Sequence, residues 1–204
     1  MNILRAGYCA VLTLTLGIAA NAGIINGNFA TPAQNPGQVT YDPTGNPTTI
    51  GWTFAGNTGL YGYANPYGNQ VAFIEPDGMV TSSISQAITG LTVGSGVYFT
   101  FYGASFAPNS DPIEVTLNGI DIGDYTPGNT WTAYTTAQTS VTSSTMTLDF
   151  IGAASPNVSY ESFIAGVSLV DPPSAPEPAS FLLAAPLGIA FLFWRRRRAV
   201  LAGC

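Results

Sequence analysis

The chain has no lysine and no histidine, and between Arg5 and Arg195 it carries no basic residue at all. Its two cysteines, Cys9 and Cys204, sit at the extremities. Each shortage excludes a class of chemistry. A region without cations cannot neutralise phosphates by counterion release, which argues against nucleic-acid binding. Without His or Cys it has no Ser-His-Asp triad, no thiolate nucleophile and no ordinary zinc site. The core must also hold without a disulfide. Charge is scarce overall: 8% of the 204 residues are charged, against roughly 25% in an average soluble domain. The surface is therefore built from Thr, Ser, Asn, Gln and Gly, a secreted or cell-surface composition. All eleven acids lie between Asp42 and Glu177, and the net charge is -6. A hydrophobic content of 46% excludes disorder and supports one domain of ordinary size.

The ends read as targeting segments. Arg5 precedes the apolar run Ala10 to Ala20, and Ala20 and Ala22 fit a small-residue cleavage site, so 1–22 is expected to be a signal peptide. At the other end a proline-rich spacer, 172–178, precedes an apolar segment, 179–194, and an arginine-rich tail, 195–204. The spacer favours extended polyproline structure. The apolar segment is expected to cross the membrane as a single helix, with Arg195, Arg196, Arg197 and Arg198 held cytoplasmic. Its 16 residues are fewer than the roughly 20 that span a bilayer comfortably, so local thinning or snorkelling must help.

Between Gly23 and Asp171 no helical period is found, and two-residue alternation recurs between turn clusters. Val97, Phe99 and Phe101 alternate with polar or tyrosine neighbours, as do Ile113, Val115 and Leu117, and Met146, Leu148 and Phe150. Further strands are expected over 24–30, 50–54, 70–75, 80–88, 132–139 and 163–170. About nine short strands imply an all-β, two-sheet β-sandwich over 23–171.

Several short segments occur in a telling order: Asn26-Gly27-Asn28-Phe29, Gly51-Trp52, Gly68-Asn69 before Gln70-Val71-Ala72-Phe73, Ile84 to Ile88 with Gly90-Leu91, the Tyr98 to Tyr102 strand, Trp131 with Tyr134, and Phe163 to Leu169. This succession resembles the galactose-binding-like jelly rolls of carbohydrate-binding modules and plant cell-wall proteins. The resemblance implies a jelly roll with Trp52 in its core. Many such domains hold a structural calcium ion through acids near the first and last strands. Asn28, Ala30, Ala165 and Gly166 stand in those places here, and calcium gains affinity with carboxylate count. No metal or other cofactor is expected.

The C-terminal combination of Pro176-Glu177-Pro178, an apolar stretch and an arginine cluster resembles the PEP-CTERM sorting signal of exopolysaccharide-producing Gram-negative bacteria. That resemblance implies an exosortase as partner, processing near the Pro-Glu-Pro motif, and delivery to the cell envelope, matrix or medium.

For ligand contact, Tyr61, Tyr63, Asn65, Tyr67 and Asn69 cluster among Gly and Pro. Ring faces suit the C–H faces of sugars, and amides suit their hydroxyls. Phe106, Asn109 and Asp111 form a second loop candidate. The leading expectation is a non-catalytic envelope or matrix protein with exopolysaccharide as candidate ligand. The alternatives are a carboxylate-dependent glycoside hydrolase drawing on Glu75, Asp77, Glu114 or Glu161, and a purely structural matrix protein. Ion collection at Glu75 and Asp77, or at Asp121 and Asp124, stands below their reading as solvated loop acids.

Overall fold

The computed structural model describes residues 22–42, 51–76, 81–106, 111–152 and 161–171. The expected signal peptide up to residue 21, the spacer, the membrane segment and the arginine tail lie outside the described residues, as do Asp77 and Asn109. Among the described residues no helix is long and apolar enough to cross a membrane.

Among the described residues twelve strands form: β1 (Val39–Tyr41), β2 (Thr53–Ala55), β3 (Thr58–Tyr61), β4 (Val71–Ile74), β5 (Ser82–Thr89), β6 (Gly96–Ser105), β7 (Ile113–Leu117), β8 (Ile120–Tyr125), β9 (Thr132–Thr135), β10 (Thr139–Ser140), β11 (Thr145–Gly152) and β12 (Ser162–Val170). They make two antiparallel sheets. One has the order β1-β3-β4-β12-β6-β10, with β9 also pairing β6; the other runs β2-β5-β11-β7-β8. The alternating runs behave as expected. Phe99 and Phe101 of β6, Ile113, Val115 and Leu117 of β7, and Leu148 and Phe150 of β11 all point into the space between the sheets and are fully buried. Ring packing fixes the centre, with Phe101 edge-on to Phe150 at 5.2 Å and Trp52 against Phe29 at 4.9 Å. Each such side chain contributes roughly 1.5–3 kcal/mol by leaving water.

Trp52 lies in that core, its Nε1–H donating to the Asn26 carbonyl at 3.1 Å. The expected strand over 24–30 is not formed. Residues 25–28 are a turn, with Asn26 and Phe29 at positive φ (52° and 55°), and the Phe29 N–H donates to the Asn26 carbonyl at 2.9 Å. The Asn26 side chain stabilises this conformation by accepting from the Thr31 N–H and donating to the Thr31 carbonyl. Two glutamines then replace the missing ladder. The Gln86 side chain accepts from the Ile25 N–H and donates to the Ile25 carbonyl, both at 2.8 Å. Gln70 donates to the carbonyls of Phe29 and Pro32 and accepts from the Gln34 N–H.

The outward faces of the two sheets differ in chemistry. On the five-stranded sheet Ser85, Asp149 and Thr116 stand side by side in register across β5, β11 and β7. That face is polar, and strict alternation follows from it. On the larger sheet β4 is buried throughout, Val71 and Phe73 on the side away from the inter-sheet core, Ala72 and Ile74 within it. A strand buried on both sides marks a face that something covers.

Candidate functional site

That second cluster consists of Val71, Phe73, Ala104, Phe163 and Ala165, with Tyr61 and Trp131 packed against it. Register explains its composition. Tyr41, Gly59, Phe73, Phe163 and Ala104 pair successively across β1, β3, β4, β12 and β6. Gly59 is required here. A Cβ at that position would meet the Phe73 ring at 2.7 Å, and its absence lets Tyr41 contact Phe73 edge-on at 5.1 Å. Tyr63 reaches the same face through a tight turn about Gly62, its N–H donating to the Tyr61 carbonyl at 2.9 Å. The rings of Tyr61 and Tyr63 stack at 5.5 Å, and Tyr63 stacks on Phe163 at 5.4 Å. Phe106, just past β6, meets Phe163 edge-on at 6.3 Å.

The result is a two-tier aromatic surface. Phe73 and Phe163 are the floor, each 1% exposed; Tyr41, Tyr63 and Phe106 lie above them at 54%, 40% and 67%. Exposed rings fixed on a buried aromatic floor are already ordered, so a ligand would lose little side-chain entropy in meeting them.

The five residues expected to contact ligand divide by role. Tyr61 and Tyr63 belong to this surface. Tyr67 is exposed and lies farther along the same sheet, edge-on to Tyr102 at 4.9 Å. Asn65 serves the loop, donating to the Gln70 carbonyl at 2.7 Å while accepting from the Tyr67 N–H at 2.8 Å. Asn69 is exposed at the turn before β4. Of the second loop candidate, Phe106 joins the aromatic surface, whereas Asp111 is buried and its carbonyl accepts from the Ser162 hydroxyl at 3.0 Å.

Two acids adjoin the aromatic tier. Glu75 follows β4 and Glu161 precedes β12, at neighbouring positions in the register that pairs Ile74 with Ser162. Tyr41 Oη donates to Glu75 Oε2 at 3.3 Å. Burial raises the Glu161 carboxyl above its ordinary pKa, and the nearby Glu75 charge raises it further. The Tyr41 hydroxyl is raised too, by burial first, then by the Glu75 charge, its hydrogen bond to Glu75 and the Glu161 charge. Glu114 and Asp124 face each other across β7 and β8 in the other sheet, away from this pair. Asp121 accepts from the Gly123 N–H at 2.8 Å within β8.

The positions that hold calcium acids in the resembled jelly rolls are used differently. Gly166 has φ +60° within the β12 bulge, and the Tyr67 ring packs so closely on it that a Cβ would lie 2.6 Å from the ring. Among the described residues no three His, Cys, Asp or Glu side chains converge.

Sequence reasoning missed Tyr41, Phe73 and Phe163. The signal for the last two was present as the loss of alternation in Val71-Ala72-Phe73-Ile74 and Phe163-Ile164-Ala165. Tyr41 gave none, since its three-residue strand is too short to show a period.

The fold has relatives among solved structures. A cyclase from Fischerella sp. TAU, solved in complex with 4-(1H-indol-3-yl)butan-2-one, superposes with a TM-score of 0.55 at 16% identity, covering 77% of this chain and 100% of that one. The domain is a jelly-roll β-sandwich. The CBM22-1 xylan-binding domain of Paenibacillus barcinonensis Xyn10C gives a TM-score of 0.48 at 14% identity over 70% of this chain and 100% of its own. The CBM36-1 domain of a multidomain xylanase from the hindgut metagenome of Trinervitermes trinervoides gives 0.45 at 15% identity, over 68% and 98%. At 16% identity the likeness to the cyclase extends to the fold alone. No protein-family model and no curated protein matches the sequence.

Proposed function

We propose that this chain is a non-catalytic, exported protein of the cell envelope or extracellular matrix whose jelly roll binds polysaccharide on the outward face of the seven-stranded sheet. The observation that carries the reading is the tier of Tyr41, Tyr63 and Phe106 exposed over buried Phe73 and Phe163. Flat rings held at fixed positions offer stacking platforms for successive pyranose units, a role that solvent-facing hydroxyls of the other sheet do not offer. Delivery through the Pro176-Glu177-Pro178 signal, with exosortase as partner and the 179–194 segment as transient anchor, completes the proposal.

The test is retention of the full-length protein on immobilised polysaccharides, including the host's own matrix. Binding that is lost in Tyr63→Ala and Tyr41→Ala is the expected result; no retention on any glycan would sink the reading. Mass spectrometry of both termini from cells and medium tests the sorting, which fails if the full-length chain is soluble inside the cell. A glycoside hydrolase is the second reading because Glu75 and Glu161 occupy neighbouring register positions at the ends of β4 and β12. Chain shortening of a bound oligosaccharide, abolished in Glu161→Gln, would establish it in place of a binding role.

A further inference from the structure

We infer that Trp131 is a further ligand-contacting residue and that the aromatic face takes a linear polysaccharide in extended conformation, laid across the strands over about five sugar units, with Tyr41 under one end and Trp131 under the other. The inference rests on the polysaccharide-binding reading above and adds to it the far contact and the shape of the ligand.

Register carries it. Tyr41, Gly59, Phe73, Phe163 and Ala104 stand in one row across β1, β3, β4, β12 and β6. The pairing of β6 with β9 sets Gly103 opposite Thr132, so the next antiparallel position sets Ala104 opposite Trp131. Side chains directly opposite each other share a face, and Trp131 packs on the same cluster as Phe73 and Phe163 while keeping part of its surface in solvent. The row is thus alike from either edge: a large ring, a small residue, then a buried phenyl, as Tyr41, Gly59, Phe73 and as Trp131, Ala104, Phe163. Both edge rings pair a flat apolar body with a polar group, which suits the C–H face and hydroxyls of a sugar.

Length follows from the sheet. Five strand-to-strand steps separate Tyr41 from Trp131, and at about 4.8 Å each they cover about 24 Å. A pyranose unit in an extended chain advances by about one such step, so a disaccharide reaches one end of the row and a chain of about five units reaches both. Along the strands the character of the face changes sooner, to Glu75 and Glu161 on one side and to the smaller Val71 and Ala165 on the other.

The experiment titrates full-length protein, in detergent, with β-1,4-linked glucose, xylose and mannose oligosaccharides from dimer to octamer, following heat and tryptophan emission. Affinity for the best-bound series should rise with each added unit and level off at about five. In Trp131→Ala it should level off at about three, with hexaose affinity about tenfold lower and trisaccharide affinity little changed. Trp131→Phe keeps a ring in the row and serves if the alanine variant does not fold. Hexaose should shift the emission of the unaltered protein, and in Trp131→Phe, which retains Trp52 and Trp194, that shift should disappear while binding measured by heat persists. Affinity that levels off at a disaccharide or trisaccharide in the unaltered protein overturns the inference and leaves polysaccharide binding standing. So does an unchanged length profile in Trp131→Ala, an emission shift retained in Trp131→Phe, or retention on a polysaccharide with no affinity for any oligomer. Failure to bind oligomers and polysaccharides alike overturns both readings.

Discussion

Phe163 shows how one side chain can serve stability and recognition together. Its ring is buried under Tyr63, Tyr61 and Phe106 on the outward face of a sheet. Phe163→Ala should cost about 3–5 kcal/mol, as loss of a buried phenyl does, and should weaken glycan binding by unseating the rings above it. Tyr63→Ala separates the two effects. It removes two stacking contacts, with Tyr61 and Phe163, each worth about 0.5–1.5 kcal/mol, so chemical denaturation should shift less than in Phe163→Ala while oligosaccharide affinity falls at least about tenfold, as for a central contact residue. Equal loss of binding and stability in Tyr63→Ala would contradict this division. Gln86 is the second informative residue. Gln86→Ala leaves both the Ile25 N–H and carbonyl without their partner, and a penalty of about 1–3 kcal/mol is expected in urea unfolding.

Elements differ in how plainly the sequence announces them. β6, β7 and β11 were legible because each turns every second residue, large and apolar, into the inter-sheet core, so burial imposes a period of two. β8 was not, since Ile120-Asp121-Ile122-Gly123-Asp124 mixes acids and glycine. Its pairing to β7 follows instead from the Asn118-Gly119 turn, with φ of 55° and 76°. The expected strand over 24–30 failed because alternation there competes with Asn and Gly, which accept positive φ. The candidate site was half legible: the tyrosine loop stands out by composition, whereas its floor and its acids meet only through pairing across strands distant in sequence. The β12 bulge offers a test at this scale. Gly166→Val places a branched side chain at φ +60° against the Tyr67 ring, and a loss of about 2 kcal/mol or more is expected. Tyr67 fluorescence or ring NMR shifts should move with it, and an unchanged ring environment would refute the contact's role.

For the molecule as a whole, eleven acids against no internal cation make repulsion a permanent cost of compaction. Moderate salt should therefore raise the melting temperature, and a flat response from low to moderate ionic strength would refute that. Acidity should act in the same direction. Burial raises the carboxyls of Glu161 and Asp149 above their ordinary values, with a bond from Thr116 partly opposing the shift at Asp149. The folded chain thus binds these protons more tightly than the unfolded one. Their contribution to stability is complete below the unfolded carboxylate pKa and is lost as pH rises through the higher folded values. Melting scans from neutral toward weakly acid pH should show a rise, reduced in Glu161→Gln; a fall that this variant leaves unchanged would count against the assignment.

The last strand among the described residues, β12, lies in the middle of its sheet, flanked by β4 and β6 on either side. A ribosome has therefore to finish the domain before that sheet can close, because every earlier length of chain lacks the strip that joins its two halves. The nascent polypeptide stays threadable until Ser162 to Val170 has been made. Stopping translation ahead of Ser162 would yield fragments for degradation, not a smaller working unit.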